Sequence, residues 1–474
     1  MSDELLYVTA TEALARFSQK SLSPVELLEA QITRAEATSK TVNAFAHTHF
    51  DEARELARQS EARWSKGEPS GCLDGLPVAI KDETQIAGKP STCGSLILKD
   101  FVADATSPAN ERILAEGAIA HAFTTTPEFC CALITWSRLW GVTRNPWNTE
   151  KTPGGSSGGA AAALASGACS LATGTDIGGS IRVPASCCGL VGYKPTYGRT
   201  PQTPPFNLDM YNHTGPLARS VADAALLQNV MCGPHPEDIA TLYPKLTLPM
   251  NYPGIKGWKI ALSMDLGSFE VDEDVRRNTL TAAQVFRDLG AKVEEVDIGW
   301  GPEVSEGVIA YLKHLFGASL STELKESADL MTTYCRDFAE QSQSSSPLNY
   351  LNSLKTAGQA YRRLGLLLEE FDCLICPTTA LPAVDATFDP SQDRIEINGK
   401  EVGSFLGWAM TTPFNMLSRC PVISLPTGFA GNGVPTGMQI VAPAYRDEVA
   451  FQAASAFENA VGGWYRRTED RPAL

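Results

Sequence analysis

The hydrophobic positions of the chain follow two alternating spacings, and this alternation predicts an α/β fold. Residues 1 to about 70 show helical spacing, and within them Ser23 to Glu26 have the composition of a capping box that starts a helix. The apolar run Leu76–Ile80 is typical of a short buried strand. Residues 108–118 return to a helical pattern that ends in glycine.

The same alternation continues to the end of the chain. Ala160 to Ser166 are apolar on every side, which predicts a fully buried helix, and Leu171 to Thr173 predict a short strand. The later predicted elements are a strand at 258–264, a helix at 274–290, a strand at 292–298, a mostly helical region at 303–370, strands at 421–429 and 437–443, and a helix at 447–461.

Nothing in the sequence divides the chain into separate domains. Its 474 residues contain neither an internal repeat nor a polar low-complexity linker. We therefore predict a single domain over residues 1–474. An N-terminal helical segment (1–70) precedes a core with the candidate chemistry (71–230), and residues 231–474 complete the sheet and supply helices around the substrate pocket.

Composition narrows the class of protein. A hydrophobic content of 43% with 20% charged residues is typical of a globular chain and not of a disordered one. The net charge of −15, without a basic run, repels phosphate backbones, so direct nucleic-acid binding is not expected. We find neither a signal peptide nor an apolar run long enough to span a membrane, so we predict a cytoplasmic chain without a membrane partner.

The twelve cysteines fit the same compartment. Cys373 and Cys376 form a C-x-x-C motif, but no second such motif or nearby histidine accompanies it, and the segment alternates like a buried strand. We expect structural free thiols, as in a reducing cytosol, and no metal or redox site.

Two glycine-rich stretches raise the question of chemistry. TPGGSSGG (152–159) and GTDIGGSIR (174–182) have the composition of linkers, but apolar elements flank both, which favours an ordered role. Neither contains the lysine of a phosphate-binding P-loop. The first satisfies G-x-S-x-G around Ser156 and again around Ser157, but a nucleophile elbow needs a strand directly before it, and the preceding residues are loop-like. No histidine lies in a sequence context that identifies it as the base for either serine.

Lys81 offers a different base for one of these serines. It ends the buried run Leu76–Ile80, where loss of solvent lowers the pKa of a lysine, so that a neutral amine could accept a proton. The competing interpretation is that Lys81 forms a surface ion pair with Asp82 or Glu83. Position alone leaves both interpretations open.

Together with several further motifs, these residues resemble the amidase signature family over nearly the whole chain. The matching stretches are GLPVAIKD (75–82), PEF (127–129), GVTRNPWN (141–148), TPGGSSGG (152–159), GTDIGGSIRVPASCCGLVGYKPTYGR (174–199), HTGPLARSVADAALL (213–227), FDCLICPT (371–378) and GMQIVAP (437–443). The separations between the lysine and the two serines also fit the family. The resemblance implies a central mixed, twisted β-sheet of about ten or more strands flanked by α-helices.

The resemblance implies a catalytic set of Lys81, Ser156 and Ser180. Ser180 is the implied nucleophile, Ser156 is the bridging serine held by an unusual cis peptide bond, and Lys81 is the terminal base. In this arrangement Ser180 gives its proton to Ser156, which gives its own to neutral Lys81, and the return path protonates the leaving amine.

The backbone before Ser180 is the candidate oxyanion hole. Ile177, Gly178, Gly179 and Ser180 can present successive N–H groups in one concavity, where they would stabilise a tetrahedral oxyanion. The alternative is a plain tight turn. The residues expected to support the catalytic groups without transferring protons are Ser157, Asp176 and Arg182.

The sequence indicates the residues of the substrate pocket less clearly than the catalytic candidates. After PEF, the segment CCALITWSRLWG (130–141) is richer in cysteine and tryptophan than the small, polar stretch usual in the family. We name Phe129, Cys130 and Trp136 as candidate pocket residues, and a place in the core is the alternative for Trp136.

These residues predict a serine hydrolase that cleaves the C–N bond of carboxamides through an acyl-enzyme on Ser180. Apolar or aryl amides are the expected substrates, and esters and carbamates (urethanes) can react by the same chemistry. One alternative is the glutaminase-type subunit of a tRNA-dependent amidotransferase. Another is a non-catalytic binding protein, which the intact Lys81 and serines disfavour. The resemblance implies neither a metal nor an organic cofactor. Family members are often homodimers, although no segment here marks an interface.

Overall fold

A computed structural model describes residues 3–467 and 471–474 of the chain. Fifteen strands are formed by these residues. They are, in chain order, β1 (Phe45–Thr48), β2 (Pro77–Lys81), β3 (Ile119–Thr124), β4 (Trp136–Ser137), β5 (Gly141–Val142), β6 (Leu171–Thr175), β7 (Val191–Lys194), β8 (Thr214–Ala218), β9 (Lys259–Leu262), β10 (Lys292–Glu295), β11 (Cys373–Pro377), β12 (Ile395–Ile397), β13 (Lys400–Val402), β14 (Val422–Phe429) and β15 (Pro435–Val441).

The helices that flank the strands are mostly short. They are α1 (Asp3–Leu6), α2 (Ala10–Ser18), α3 (Pro24–Thr38), α4 (Phe50–Lys66), α5 (Pro108–Ala115), α6 (Gly158–Ala165), α7 (Arg182–Cys188), α8 (Val221–Met231), α9 (Glu273–Asp288), α10 (Pro302–His314), α11 (Phe316–Ser319), α12 (Ser321–Ser327), α13 (Thr333–Ser342), α14 (Pro347–Glu370), α15 (Pro413–Met416) and α16 (Asp447–Val461). Two 3₁₀ turns, Glu128–Cys130 and Phe206–Leu208, interrupt the loops.

Eleven of the strands form one mixed sheet with the spatial order β1-β3-β2-β6-β8-β7-β14-β15-β11-β9-β10. Strand β2 is parallel to both of its neighbours, β3 and β6, whereas β8, β7, β14 and β15 pair antiparallel in succession. Because parallel strands end at the same edge of a sheet, Lys81 at the end of β2 and Thr175 at the end of β6 lie side by side. The candidate catalytic residues lie at this edge of the sheet.

Local sequence explains how the helices around this edge form. At α3, the Ser23 hydroxyl accepts from the Val25 N–H and the Glu26 carboxylate accepts from the Ser23 N–H, which confirms the predicted capping box. Helix α6 is buried on every side, as its alanine-rich sequence predicts. A Cβ at Gly159 would lie 2.4 Å from the Thr125 Oγ1. Glycine therefore lets α6 approach the end of β3, and the first glycine tract is not a linker.

The prediction of one α/β domain with a mixed sheet of about ten or more strands is confirmed. Helical spacing over 1–70 is wrong at Phe45–Thr48, because these residues pair antiparallel with the open edge of β3 and become β1. The internal boundaries at 70 and 230 stay predictions.

Cys373 and Cys376 lie buried in β11, and all twelve cysteines are free. No helix in the described ranges is long and apolar enough to cross a membrane.

Candidate active site

The catalytic candidates lie where β2 and β6 end. Lys81 is the last residue of β2, and its side chain is fully buried. Ser156 precedes α6 and Ser180 precedes α7, so each serine lies in the turn that leads into a buried helix. The peptide bond between Gly155 and Ser156 is cis, which is the geometry that the family resemblance implies for the bridging serine.

The Lys81 amine has three polar partners. Its Nζ donates to Ser156 Oγ at 2.7 Å and to Thr175 Oγ1 at 2.6 Å, and Glu83 Oε2 lies 3.1 Å away. The Thr175 hydroxyl in turn donates to the Glu83 carboxylate. The structure therefore brings Lys81 and Ser156 together, and it adds Glu83 as a half-buried acidic partner.

Glu83 changes the charge expected for Lys81. Burial acts to lower the pKa of Lys81, but the Cys130 sulfur and the Glu83 carboxylate act to raise it, and the net direction is upward. Burial would raise the pKa of Glu83, but Lys81 and Thr175 stabilise its carboxylate, and its pKa is lowered. The expectation that desolvation alone makes Lys81 neutral is therefore wrong, because the resting site holds an ion pair.

Glu83→Gln is expected to move the acid limb of the pH profile of kcat/KM to lower pH. The variant keeps the size of the side chain and removes the negative charge that favours the Lys81 ammonium, so the neutral amine forms at lower pH. The measurement is kcat/KM for one chromogenic amide across the pH range.

Glu323→Gln is the matched control for this profile. Glu323 lines the same cavity as Glu83 but is not a partner of Lys81, so the acid limb should stay at its wild-type position. A Glu83→Gln profile with its acid limb at or above the wild-type position would contradict the assigned ion pair.

The backbone before Ser180 folds around the carboxylate of Asp176. The Asp176 Oδ1 accepts from the Gly179 N–H at 2.8 Å, so that donor is already used. We therefore remove Gly179 from the predicted oxyanion donors. Its φ of +125° and a Cβ position 2.0 Å from Thr411 Oγ1 explain why glycine occupies this position.

Three N–H groups of this loop remain for a substrate oxygen. Those of Ile177, Gly178 and Ser180 have no acceptor within the described residues. Ser157 fixes the loop against the other serine turn, because its N–H donates to the Ser180 carbonyl at 3.1 Å and its hydroxyl to the Thr175 carbonyl at 3.4 Å. The loop can therefore act as an oxyanion hole with three donors.

Arg182 holds the carboxylate that shapes this loop. Its guanidinium contacts both Asp176 oxygens, at 3.0 and 2.9 Å, and both side chains are fully buried. Arg182 also donates to the Thr411 carbonyl, to Gln439 Oε1 and to Asn415 Oδ1. Burial would raise the pKa of Asp176, but Arg182 and Asn415 hold it well below its usual range.

Both serines face one cavity of about 450 Å³. Phe129 and Cys130 line it as well. Trp136 does not belong to the lining, because its indole N–H donates to the Phe388 carbonyl at 2.8 Å and its ring packs edge-on against Tyr334. No three His, Cys, Asp or Glu side chains are grouped as a metal site in the described part of the chain.

Comparison with known proteins agrees with this geometry. The sequence profile of the family described as Amidase matches residues 26–450. The chain belongs to the amidase family. The family and the enzyme class predicted from the sequence, an amidohydrolase, are therefore confirmed.

Several relatives are similar over almost their whole length. An acylamidase of Rhodococcus erythropolis is 33% identical, over 97% of this chain and 96% of its own. The A subunit of the glutamyl-tRNA(Gln) amidotransferase of Gloeothece citriformis (strain PCC 7424) is also 33% identical, over 96% of this chain and 97% of its own. The solved structure of a bacterial aryl acylamidase of the amidase signature family superposes with a TM-score of 0.89 at 32% identity, covering 96% of each chain.

Sequence reasoning missed the polar residues that hold the oxyanion loop from a distance. Thr411 and Asn415 lie in a region without a recognisable motif. Gln439 was detectable, because it is a polar residue inside the apolar run GMQIVAP of β15, where a buried amide needs partners.

Proposed function

We propose that this enzyme hydrolyses apolar or aryl carboxamides through an acyl-enzyme on Ser180. The observation that carries the proposal is the 2.7 Å hydrogen bond between Lys81 and Ser156, beside a cavity that Ser156 and Ser180 both line. Ser180 Oγ has no hydrogen-bond partner among the described residues. The proposed relay therefore requires the Ser180 hydroxyl to turn toward Ser156 Oγ when a substrate binds, because a nucleophile must come within hydrogen-bond reach of its base.

In the proposed reaction, which runs in the fraction of the enzyme whose Lys81 has lost its ammonium proton, Ser180 Oγ attacks the carbonyl carbon while its proton passes to Ser156 Oγ and the Ser156 proton passes to the Lys81 amine. The N–H groups of Ile177, Gly178 and Ser180 donate to the oxyanion. Collapse breaks the C–N bond, and the amine leaves with a proton returned through Ser156. Water then attacks the ester of Ser180 by the same proton route and releases the carboxylic acid.

The lining of the cavity supports apolar or aryl substrates. The apolar and aromatic residues around the serines include Ala109, Phe129, Ile177, Phe206, Phe316 and Leu320. Similarity to an acylamidase and to a bacterial aryl acylamidase points in the same direction. Carbamates and esters present the same carbonyl to Ser180, so the proposal includes them as substrates.

A glutaminase-type subunit is the second candidate, because the A subunits of the glutamyl-tRNA(Gln) amidotransferases are as similar to this chain as the acylamidase is. Free glutamine brings an α-carboxylate, which requires a cation in the pocket. The described lining residues of the cavity include Glu83 and Glu323 but no lysine, arginine or histidine. This lining favours the amidase over the glutaminase.

A panel of amides tests the proposal. p-Nitroacetanilide, benzamide, hexanamide, a phenyl carbamate and glutamine are incubated with the enzyme, and a fluorophosphonate is used to label the nucleophile. We expect turnover of the anilide and the carbamate, no release of ammonia from glutamine, and the label on the peptide that contains Ser180. Turnover of glutamine alone would favour the glutaminase of an amidotransferase, and a label on Ser156 would reassign the nucleophile.

A further inference from the structure

Gln202, Asn212 and Thr214 form a polar wall of the cavity of about 450 Å³ that both candidate serines line. The three residues are more than nine-tenths buried, with exposed fractions of 9, 8 and 5%. The Gln202 amide donates to the Asn212 carbonyl at 2.8 Å, which joins the two parts of the wall. The Asn212 amide, the Thr214 hydroxyl and Gln202 Oε1 have no hydrogen-bond partner in the described part of the chain. Polar groups in such a position require a partner from a ligand or from water.

The backbone that leads into β8 turns two of these side chains toward the cavity. Asp176 and His213 exchange two backbone hydrogen bonds, and Thr214 pairs with Thr175, so this segment is extended along the end of β6. Successive side chains of an extended segment point to opposite sides. The side chains of Asn212 and Thr214 therefore share the side that lines the cavity, while the His213 ring is buried on the other side.

Thr214 places the polar wall beside the proton relay. Because Asp176 and His213 form a hydrogen-bonded pair, Thr175 and Thr214 form the adjacent non-hydrogen-bonded pair, in which the side chains lie on one face with Cβ atoms about 5 Å apart. The Thr175 hydroxyl accepts from the Lys81 amine at 2.6 Å. The proposed reaction returns a proton to the leaving amine through this relay, so the amine half of the substrate lies next to the wall.

The polar wall offers both hydrogen-bond donors and hydrogen-bond acceptors. Asn212 provides an N–H₂ donor and a carbonyl acceptor, the Thr214 hydroxyl can do either, and Gln202 Oε1 accepts. A carboxylate can only accept and an ammonium group can only donate, whereas a hydroxyl or a carboxamide does both. No lysine, arginine or histidine belongs to the described lining of the cavity, so no cation there would neutralise an anionic group.

We infer that the polar wall recognises an uncharged hydroxyl or carboxamide group carried by the leaving amine. This inference rests on the proposed acyl transfer to Ser180, and it specifies the substrate class. The amine half is apolar or aromatic next to the scissile nitrogen and bears a neutral hydrogen-bonding group further out. An amine that lacks this group displaces water from the Asn212 amide without replacing its hydrogen bonds, and the enzyme therefore disfavours it.

Acetanilides with three different ring substituents test the polar wall. The substituents are hydroxymethyl, ethyl and aminomethyl, each placed at ring position 3 and at ring position 4, and they differ only in a terminal hydroxyl, methyl or ammonium group. At one ring position or both, we expect kcat/KM for the hydroxymethyl compound to exceed that for the other two by about three- to tenfold. The hydroxymethyl-to-ethyl ratio is compared between enzymes, so that a general loss of activity in a variant cancels.

Two variants remove groups of the wall at nearly constant size. Asn212→Leu should lower the hydroxymethyl-to-ethyl ratio to one or below, and Thr214→Val should lower it by about two- to threefold. Thr214→Val carries the test alone if Asn212→Leu does not fold. Asn207→Leu is the matched control, because Asn207 is a buried asparagine of the preceding loop outside the cavity lining, and its amide has one weak contact, with Asp238 at 3.5 Å. Its ratio should stay at the wild-type value.

The outcomes separate this inference from the proposed function. The inference alone is overturned if the ethyl or aminomethyl compound is the better substrate, if the ratio is unchanged in both wall variants, or if it falls as far in Asn207→Leu. It is also overturned alone if p-nitroacetanilide is hydrolysed and none of these acetanilides is. Failure to hydrolyse p-nitroacetanilide and all of these compounds overturns both. A ratio that falls in at least one wall variant and is kept in Asn207→Leu establishes the role of the wall.

Discussion

Ser180→Ala is expected to lower kcat/KM for p-nitroacetanilide by about 10⁴- to 10⁶-fold, as loss of the nucleophile does in other serine hydrolases. The Ser180 hydroxyl makes no hydrogen bond within the described residues, so its removal leaves no partner unpaired and the fold intact. The measurement compares initial rates at saturating and limiting substrate, together with a circular dichroism spectrum of the variant.

Ser186→Ala provides the control for that loss. Ser186 is a buried serine of α7, the helix that follows Ser180, and its hydroxyl has one weak contact, with Thr379 Oγ1 at 3.5 Å. This variant should keep the wild-type rate. If Ser180→Ala retained most of the activity, Ser156 would become the candidate nucleophile, since its hydroxyl already contacts Lys81.

Asp176→Asn is expected to lower the free energy of unfolding by about 3–5 kcal/mol, because it leaves the buried Arg182 cation without its counter-charge. The neutral amide also presents an N–H₂ group where the loop and Arg182 both donate. Activity should fall with stability, because one of the two Asp176 oxygens that accept from the loop becomes an N–H₂ group, which loosens the candidate oxyanion loop. Guanidinium unfolding followed by tryptophan fluorescence measures the change.

Asp385→Asn tests whether the loss of stability in Asp176→Asn comes from the burial of the ion pair that it breaks. Asp385 pairs with Lys151 at 2.5 Å, but 69% of the Asp385 side chain is exposed. Solvent screens such a pair, so its loss should cost less than about 1 kcal/mol. Equal unfolding midpoints for the two variants would contradict the structural role assigned to Asp176 and Arg182.

The sequence predicts those elements of the fold that depend on residues close together in the chain. The buried run before Lys81, the capping box at Ser23 and the helix Asp447–Val461 all depend on neighbouring residues, and all are observed. Strand β1 depends on a partner far along the chain, because Phe45–Thr48 pair with β3. A pattern within 1–70 carries no information about that edge.

The same distinction holds for the candidate site. The lysine and both serines stand in motifs, so sequence alone selected them, and the structure brings Lys81 and Ser156 into contact. The charge of Lys81 could not be read from its position, because the depth of burial and the direction of the Glu83 side chain decide it together. Gly179 belonged to a correct motif, but only the hydrogen bond to Asp176 reveals that its N–H is already engaged.

The bond between Arg182 and Gln439 has a consequence for synthesis of the chain. A ribosome delivers both candidate serines long before it delivers β15, so the nascent chain carries them without the Gln439 side chain that completes the Arg182 cluster. The oxyanion loop is locked only when the last strand of the sheet docks, and such distant pairings form late in folding. We therefore expect chains that end before β15 to carry both candidate serines but to lack the complete set of partners around Arg182.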